Sequence, residues 1–354
     1  MRCPLGLLTM DSIPHSKPAL SSVEFDALRE TLLSGQISLG PASCEFERQV
    51  GRFIGTRHAV AVSSGTAALI GALRALDVGA SDEVILPTYV CRDVMDAVSF
   101  CGATPVLCDI GEEWSVTRAA IKPHLTRRTK AVIVPYLFGI PIDLDPILDL
   151  GLPVLEDIAQ AFGTENGKGA KAGSKGLLNI CSFHATKCLT TGEGGMVLCN
   201  DKKYLERLRV FQGLFPLSDL NASLGISQLK QFPSFLAKRR TIADCYFRRL
   251  GPLGPICLPG HLREGSSFFR FVIKLPAPFK VVAGWFESRS ITVRRGVDNL
   301  LHRILKLPRK KFPVAEALFA QTISLPIYPA LSQENIHRVA DAAAALAMRV
   351  MTQP

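Results

Sequence analysis

No apolar run in the sequence approaches the ~20 residues that a helix needs to cross a bilayer, so no membrane span is expected. The opening stretch, Met1 to Asp11, is too short and too soon interrupted for a secretory leader, and a cytoplasmic protein is expected. Ten cysteines include no C-x-x-C pair, which removes the zinc ribbon and the dithiol redox motif. Cys91, Cys101, Cys108, Cys181, Cys188 and Cys199 lie in or beside apolar runs and read as reduced, buried thiols. There is no internal repeat and no low-complexity tract. With 47% hydrophobic and 20% charged residues the chain is globular. Its 354 residues suit one large domain plus a smaller one.

Acidic residues are also scarce, 31 against 41 Lys and Arg, for a net charge of +10. The imbalance is local. Residues 236–320 hold 17 basic and 5 acidic residues, a surplus of 12, so the rest of the chain is nearly neutral. A soft domain boundary is placed where the charge changes, giving a large domain over 1–235 and a smaller α+β domain over 236–354.

From residue 58 to about 200, short β-rich runs alternate with helix-period runs. Strands are predicted at 58–62, 83–86, 105–108, 131–134, 153–155, 180–183 and 196–198, and helices follow the first two. Apolar runs without polar alternation indicate strands covered on both faces, so a mainly parallel sheet inside helical layers is expected. Helices are predicted at 23–34, 43–54, 279–289 and 332–350, and at 218–250 with an interruption at Pro233. Further strands are predicted at 268–273 and 291–293.

In such sheets chemistry gathers at the carboxyl ends of strands. At the first, Ser63-Ser64-Gly65-Thr66 turns into a helix whose free N–H groups could hold a phosphate, or simply form an ordinary cap. At the second, Glu156 and Asp157 point to opposite sides of an apolar strand. A buried carboxylate there needs a cationic partner such as a protonated pyridine nitrogen, unless Asp157 caps a helix. At the third, Lys187 sits in a short linker beside Gly192-Glu193-Gly194-Gly195. Desolvated, its amine titrates downward and becomes a nucleophile for a carbonyl. His184 is nearby as an acid–base group or a structural histidine. A phosphate turn, a pyridinium carboxylate and a lysine, in that order, specify a pyridoxal phosphate site.

These residues, with Ile13-Pro14-His15-Ser16-Lys17-Pro18, Glu156-Asp157-Ile158-Ala159-Gln160, Ser182-Phe183-His184-Ala185-Thr186-Lys187, Ser218-Asp219-Leu220-Asn221-Ala222 and Leu325-Pro326-Ile327-Tyr328-Pro329, make the sequence resemble the DegT/DnrJ/EryC1/StrS family of pyridoxal phosphate-dependent sugar aminotransferases over nearly its whole length. The resemblance implies the type I aminotransferase fold, α/β with a seven-stranded, mainly parallel sheet and a smaller C-terminal domain. It also implies a homodimer with active sites at the interface. Lys187 matches the Schiff-base lysine, Asp157 the carboxylate on the pyridine nitrogen, and Gln160 the glutamine near the ring hydroxyl. Gly65, Thr66 and Ser182 match groups that hold the phosphate. The implied substrates are a nucleotide-linked keto sugar and glutamate as amino donor.

Two places depart from the family pattern. Where an aromatic residue commonly stacks on the cofactor, the sequence has Cys91, with Tyr89 two residues earlier as the candidate for that role. Where many members supply an asparagine to the partner's phosphate, it has Leu214-Phe215-Pro216-Leu217, in a shortened connection. Sugar dehydratases of the family carry histidine at the lysine position, and non-catalytic members are expected to lose Lys187 or Asp157; both residues are present. Nucleic-acid binding, which the basic segment suggests, has no helix-turn-helix, RNP-like or zinc motif behind it. A nucleotide diphosphate is the expected partner of that segment, with Arg294, Arg295 and His302 as candidates.

Overall fold

The computed structural model describes residues 12–166, 169–256 and 263–351. Two helices lead. Helix α1 (Ser22–Ser34) starts with a capping box between Ser21 and Glu24, and α2 (Pro41–Ile54) starts on a proline. Strands and helices then alternate: β1 (His58–Val62), α3 (Gly65–Ala75), β2 (Glu83–Pro87), α4 (Arg92–Phe100), β3 (Thr104–Cys108), α5 (Arg118–Ile121), β4 (Thr129–Pro135), α6 (Asp145–Leu148) and β5 (Val154–Asp157). A small hairpin of β6 (Glu165–Asn166) and β7 (Ala170–Lys171) precedes β8 (Leu178–Ser182) and β9 (Gly195–Cys199). The seven long strands form one sheet in the order β1-β9-β8-β5-β4-β2-β3. Every pairing in it is parallel except the two made by β9.

The pattern of continuous apolar runs is borne out, since β2, β5 and β9 are buried along their whole length. Because β9 alone runs backwards, it begins where the other strands end. The carboxyl ends of β1, β5 and β8 and the start of β9 therefore share one edge of the sheet. The five cysteines from Cys101 to Cys199 are free and buried, and Cys91 is free and exposed.

After α7 (Lys202–Leu214), helix α8 runs from Asp219 to Leu250. It is continuous through Pro233, against the interruption predicted there. The backbone bond lost to proline is offset by a face that buries Phe232, Phe235, Ile242 and Tyr246. The 235/236 boundary falls within this helix. Beyond it, β10 (Phe271–Lys274), α9 (Phe279–Glu287), β11 (Arg294–Arg295), α10 (Leu301–Ile304), α11 (Pro313–Gln321), β12 (Thr322–Leu325) and α12 (Gln333–Met351) build a second, three-stranded antiparallel sheet, β10-β12-β11, with helices.

Two strands are displaced from their predicted places. The strand predicted at 268–273 starts at Phe271, because Phe268 has φ +46° and the Ser266 hydroxyl and Ser267 N–H donate to the Gly139 carbonyl. The strand predicted at 291–293 moves to Arg294–Arg295, because Ile291 bridges to Ile13 instead.

Asp219, at the head of α8, is buried and closes the start of α2. Its carboxylate accepts from the N–H groups of Gly40 (2.9 Å), Ala42 (3.1 Å) and Ser43 (2.8 Å). Three N–H groups at a helix start are thereby satisfied across 170-odd residues of chain. Asp219→Ala is expected to cost about 2 kcal/mol, seen as a lower urea midpoint at unchanged slope. A change within about 0.5 kcal/mol contradicts this capping role.

Candidate active site

The pleat of β5 sends its two carboxylates to opposite faces, as the sequence predicted. Glu156 turns to the 173–176 loop and accepts from the N–H groups of Gly173 (2.9 Å), Lys175 (2.8 Å) and Gly176 (2.5 Å). Asp157, only 5% exposed, turns the other way and accepts from the Ala159 N–H at 2.9 Å. No cation forms an ion pair with it among the described residues. Burial pushes the Asp157 pKa up, while the Ala159 N–H and the charge of Lys187 pull it down. An anion desolvated to this degree with a single neutral donor is under-compensated, and a protonated base beside it would correct that.

Lys187 lies in the loop between β8 and β9, and hydrogen bonds fix that loop. The Lys187 N–H donates to the His184 carbonyl, and the Thr191 N–H to the Phe183 carbonyl, each at 2.9 Å. From α8, the Asn221 side-chain amide donates to the Thr191 carbonyl at 2.6 Å. Burial lowers the Lys187 pKa and Arg270 adds to the effect, whereas Cys91 and Asp157 oppose it. The Lys187 amine sits 5.3 Å from the centre of the Phe269 ring. His184 is exposed and bonds locally, Nδ1 to the Thr186 hydroxyl at 2.9 Å, which suits the structural reading.

Ser64 caps α3, its hydroxyl accepting from the Ala67 N–H at 3.0 Å. The first helical bond is Ala68 N–H to Ser64 O, so the N–H groups of Gly65 and Thr66 have no partner within the helix. Gly65 lies directly against Ser182: a β-carbon at residue 65 would stand 2.7 Å from that of Ser182. Only glycine permits this approach, which sets the Ser182 side chain beside the start of α3.

Gly65, Thr66, Asp157, Ser182 and Lys187 thus share one edge of the sheet. Gln160 joins them through its Oε1, which accepts from the Phe138 N–H at 3.0 Å, and it lines a cavity of about 450 Å³ with Cys91 and Arg270. Tyr89 is placed differently. It is fully buried, edge-to-face with Phe138 at 6.5 Å, with its hydroxyl under Gly296.

The cations suggested for a diphosphate are mostly committed elsewhere. His302 is fully buried, stacked on Phe312, and bonded to Thr88 at 2.8 Å and Glu316 at 2.9 Å. Arg295 lies between the rings of Phe279 and Phe319, and only Arg294 is exposed. Sequence reasoning passed over Asn221 and Arg270. Asn221 stood inside a quoted motif without a role, and Arg270 is a cation within an apolar strand segment, a signal in itself.

The raised Asp157 pKa has a consequence for stability. Above the unfolded-state value of about 3.9, the folded chain holds on to this proton longer than the unfolded one. Stability is therefore lost as pH rises through the gap between the two values. In the cofactor-free protein, Asp157→Asn is expected to raise the melting temperature at pH 7 by roughly 1–2 °C, the effect of about 1 kcal/mol on a chain of this length. The gain should vanish below about pH 4. A variant less stable than wild type at pH 7 contradicts this account.

The chain as a whole is similar to known aminotransferases. A model of the DegT/DnrJ/EryC1/StrS aminotransferase family matches residues 18–214 and 215–344. The aminotransferase TlmJ from Streptoalloteichus hindustanus superposes with a TM-score of 0.89 at 30% identity, over 96% of this chain and 99% of that one. Spr1654 from Streptococcus pneumoniae, solved in apo, PMP and PLP forms, gives a TM-score of 0.88 at 27% identity; its PLP form is matched over 96% of this chain and 100% of that one. DesI, solved in the presence of its TDP-sugar product, gives 0.88 at 26% identity, over 96% and 94%. With nearly its whole length matched by the family model, the chain belongs to the DegT/DnrJ/EryC1/StrS aminotransferase family.

Proposed function

We propose that this family member is a pyridoxal phosphate-dependent aminotransferase that moves an amino group from glutamate to the keto carbon of a nucleotide-linked sugar. The observation that carries the reading is Asp157, a buried carboxylate without a cation, within Coulombic reach of the depressed Lys187 amine. These residues fit the cofactor: Asp157 for its ring nitrogen, the amine of Lys187 for its aldehyde, and Gly65, Thr66 and Ser182 for its phosphate. Pyridoxal phosphate, when bound, supplies the electron sink for the transfer.

The chain's own groups do the rest. Asp157 holds a proton on the ring nitrogen. Lys187, released as a neutral amine, takes the donor's Cα proton as general base and delivers it as general acid. Burial keeps that amine from being locked as ammonium. Gln160, oriented by the Phe138 N–H, would hold the ring hydroxyl of the bound cofactor. Lysine rather than histidine at residue 187 favours transfer over dehydration. The TDP-sugar product of DesI supports the nucleotide-linked substrate.

The active unit is a homodimer in this reading. Phe25, Leu32 and Leu33 recur at i, i+7 and i+8 on one face of α1 and are exposed, Phe25 by 74% and Leu33 by 76%. Apolar side chains grouped in this way on a surface mark an interface. The free cysteines suit a reducing cytoplasm.

Two outcomes are expected. Lys187→Ala should lower kcat for amine transfer by at least ~10³, followed by mass detection of the amino-sugar nucleotide; an undiminished rate sinks the scheme. The pair Phe25→Asp with Leu33→Asp should sediment at monomer mass where wild type sediments at dimer mass. A variant that keeps the wild-type mass removes α1 from the interface.

A further inference from the structure

Arg270 is a cation with three of its five N–H donors unmatched among the described residues. Its Nη1 donates to the carbonyls of Arg295 and Gly296, each at 2.9 Å, which holds the guanidinium in place. Its Nε is buried without a partner, and Nη2 has none among the described residues. The Nε–Nη2 edge is the planar fork that matches a carboxylate. It belongs to a residue lining the 450 Å³ cavity beside Gln160 and Cys91.

The surroundings leave that edge in need of an anion. Asp298 lies within Coulombic reach and favours the charged guanidinium, but no ion pair joins the two among the described residues. Arg294 repels it. His15, bonded to the Ser324 hydroxyl at 2.8 Å, offers no negative charge, and burial followed by the charges of Arg270, Arg294 and Arg239 lowers its pKa to about 3. Burying a guanidinium beside other cations is costly, and a cavity that admits an anion is the arrangement that offsets it.

We propose that the free edge of Arg270 binds the α-carboxylate of the amino donor. The inference rests on the aminotransferase reading above and adds to it the residue that recognises the donor. Carboxylate also occurs on uronate sugars, and a nucleotide diphosphate is a second anion to weigh. Position decides between them. In an α-amino acid the carboxylate is bonded to the carbon that carries the amine, so it must lie beside the reacting atoms. Arg270 does lie there: its guanidinium carbon is 5.6 Å, and the Lys187 amine 5.3 Å, from the centre of the same Phe269 ring. A diphosphate is held away from the keto carbon by the sugar ring.

The test uses the holoenzyme and needs no turnover. Glutarate, a dicarboxylate without an amine, is titrated calorimetrically into wild type, Arg270→Gln and Arg270→Lys. The glutamine variant should bind it about 10- to 100-fold more weakly, the loss of charge-assisted bonds to one carboxylate. The lysine variant, which keeps the charge and loses the fork, should fall between; it decides the matter if the glutamine variant does not fold. Arg249→Gln, a surface control paired with Asp341, should bind as wild type does. Glutarate affinity within 3-fold of wild type in both Arg270 variants overturns the proposal. So does a larger loss for glucuronate or for dTDP than for glutarate, which reassigns the anion to the sugar or the nucleotide. Should nucleotide-linked keto sugars prove not to be substrates, that failure appears in the amine-transfer assay and leaves the glutarate titration unchanged.

Discussion

A carboxylate taken out of water is tolerated only where something neutralises it, and Asp157 is held at the end of β5 with one backbone N–H and, among the described residues, no paired cation. Much of the site can be understood from that imbalance. The charge of Lys187 relieves it in part, while burial lowers the pKa of that amine in turn. Both groups are left in a state that a protonated heterocycle with an aldehyde would complete. The destabilisation is carried by the sheet around them, whose strands β2, β5 and β9 are buried throughout. This is the usual exchange of stability for function, made by two residues whose replacement by neutral groups should firm the empty protein.

The geometry depends equally on the reversal of β9. A fully parallel seventh strand would need a long crossover after β8. An antiparallel one needs only the short loop from Phe183 to Gly194, and that loop is where Lys187 stands. Its shape is set by backbone bonds at each end and by Asn221 from α8, so the lysine is positioned by a helix distant in sequence. The same α8 supplies Asp219 to close α2. Two residues, two positions apart at the head of one helix, thus organise the start of α2 and the loop that carries Lys187.

The strand order was hidden in the sequence, but the strands themselves were legible, because burial on both faces writes a continuous apolar run. So were Lys187, Asp157 and the Gly65 turn, which are local departures from such runs. What could not be read was direction. Tyr89 and Cys91 are two residues apart, and their alternation is not apparent without knowing where the chain leaves β2. The chain sends Tyr89 into the core beside Phe138 and leaves Cys91 at the cavity with Gln160. Pro233 misled for a related reason: local propensity argues for a break, while tertiary packing along α8 argues against it, and packing prevails. The strands predicted at 268–273 and 291–293 shifted because their neighbours in space, Gly139 and Ile13, lie far off in sequence.

Charge is the feature that the structure recasts most. A surplus of 12 positive charges over 236–320 suggests a surface that greets an anionic partner. Followed residue by residue, several of the cations instead serve the fold. Arg239 is buried and donates to the carbonyls of Phe268 and Ile327, each at 3.0 Å. Arg295 is held between two phenylalanine rings, and Arg303 is paired with Glu316. Arginine suits such work, since its fork satisfies several carbonyls while its face packs on aromatic rings. Arg270 begins in the same way, with two carbonyls on Nη1, but its Nε finds no acceptor and the residue lines a cavity. A surplus of cations therefore says little about binding until each has been traced to its acceptors. Arg239 also leaves its Nε without an acceptor, so it is the cavity beside Arg270 that makes that residue the informative one.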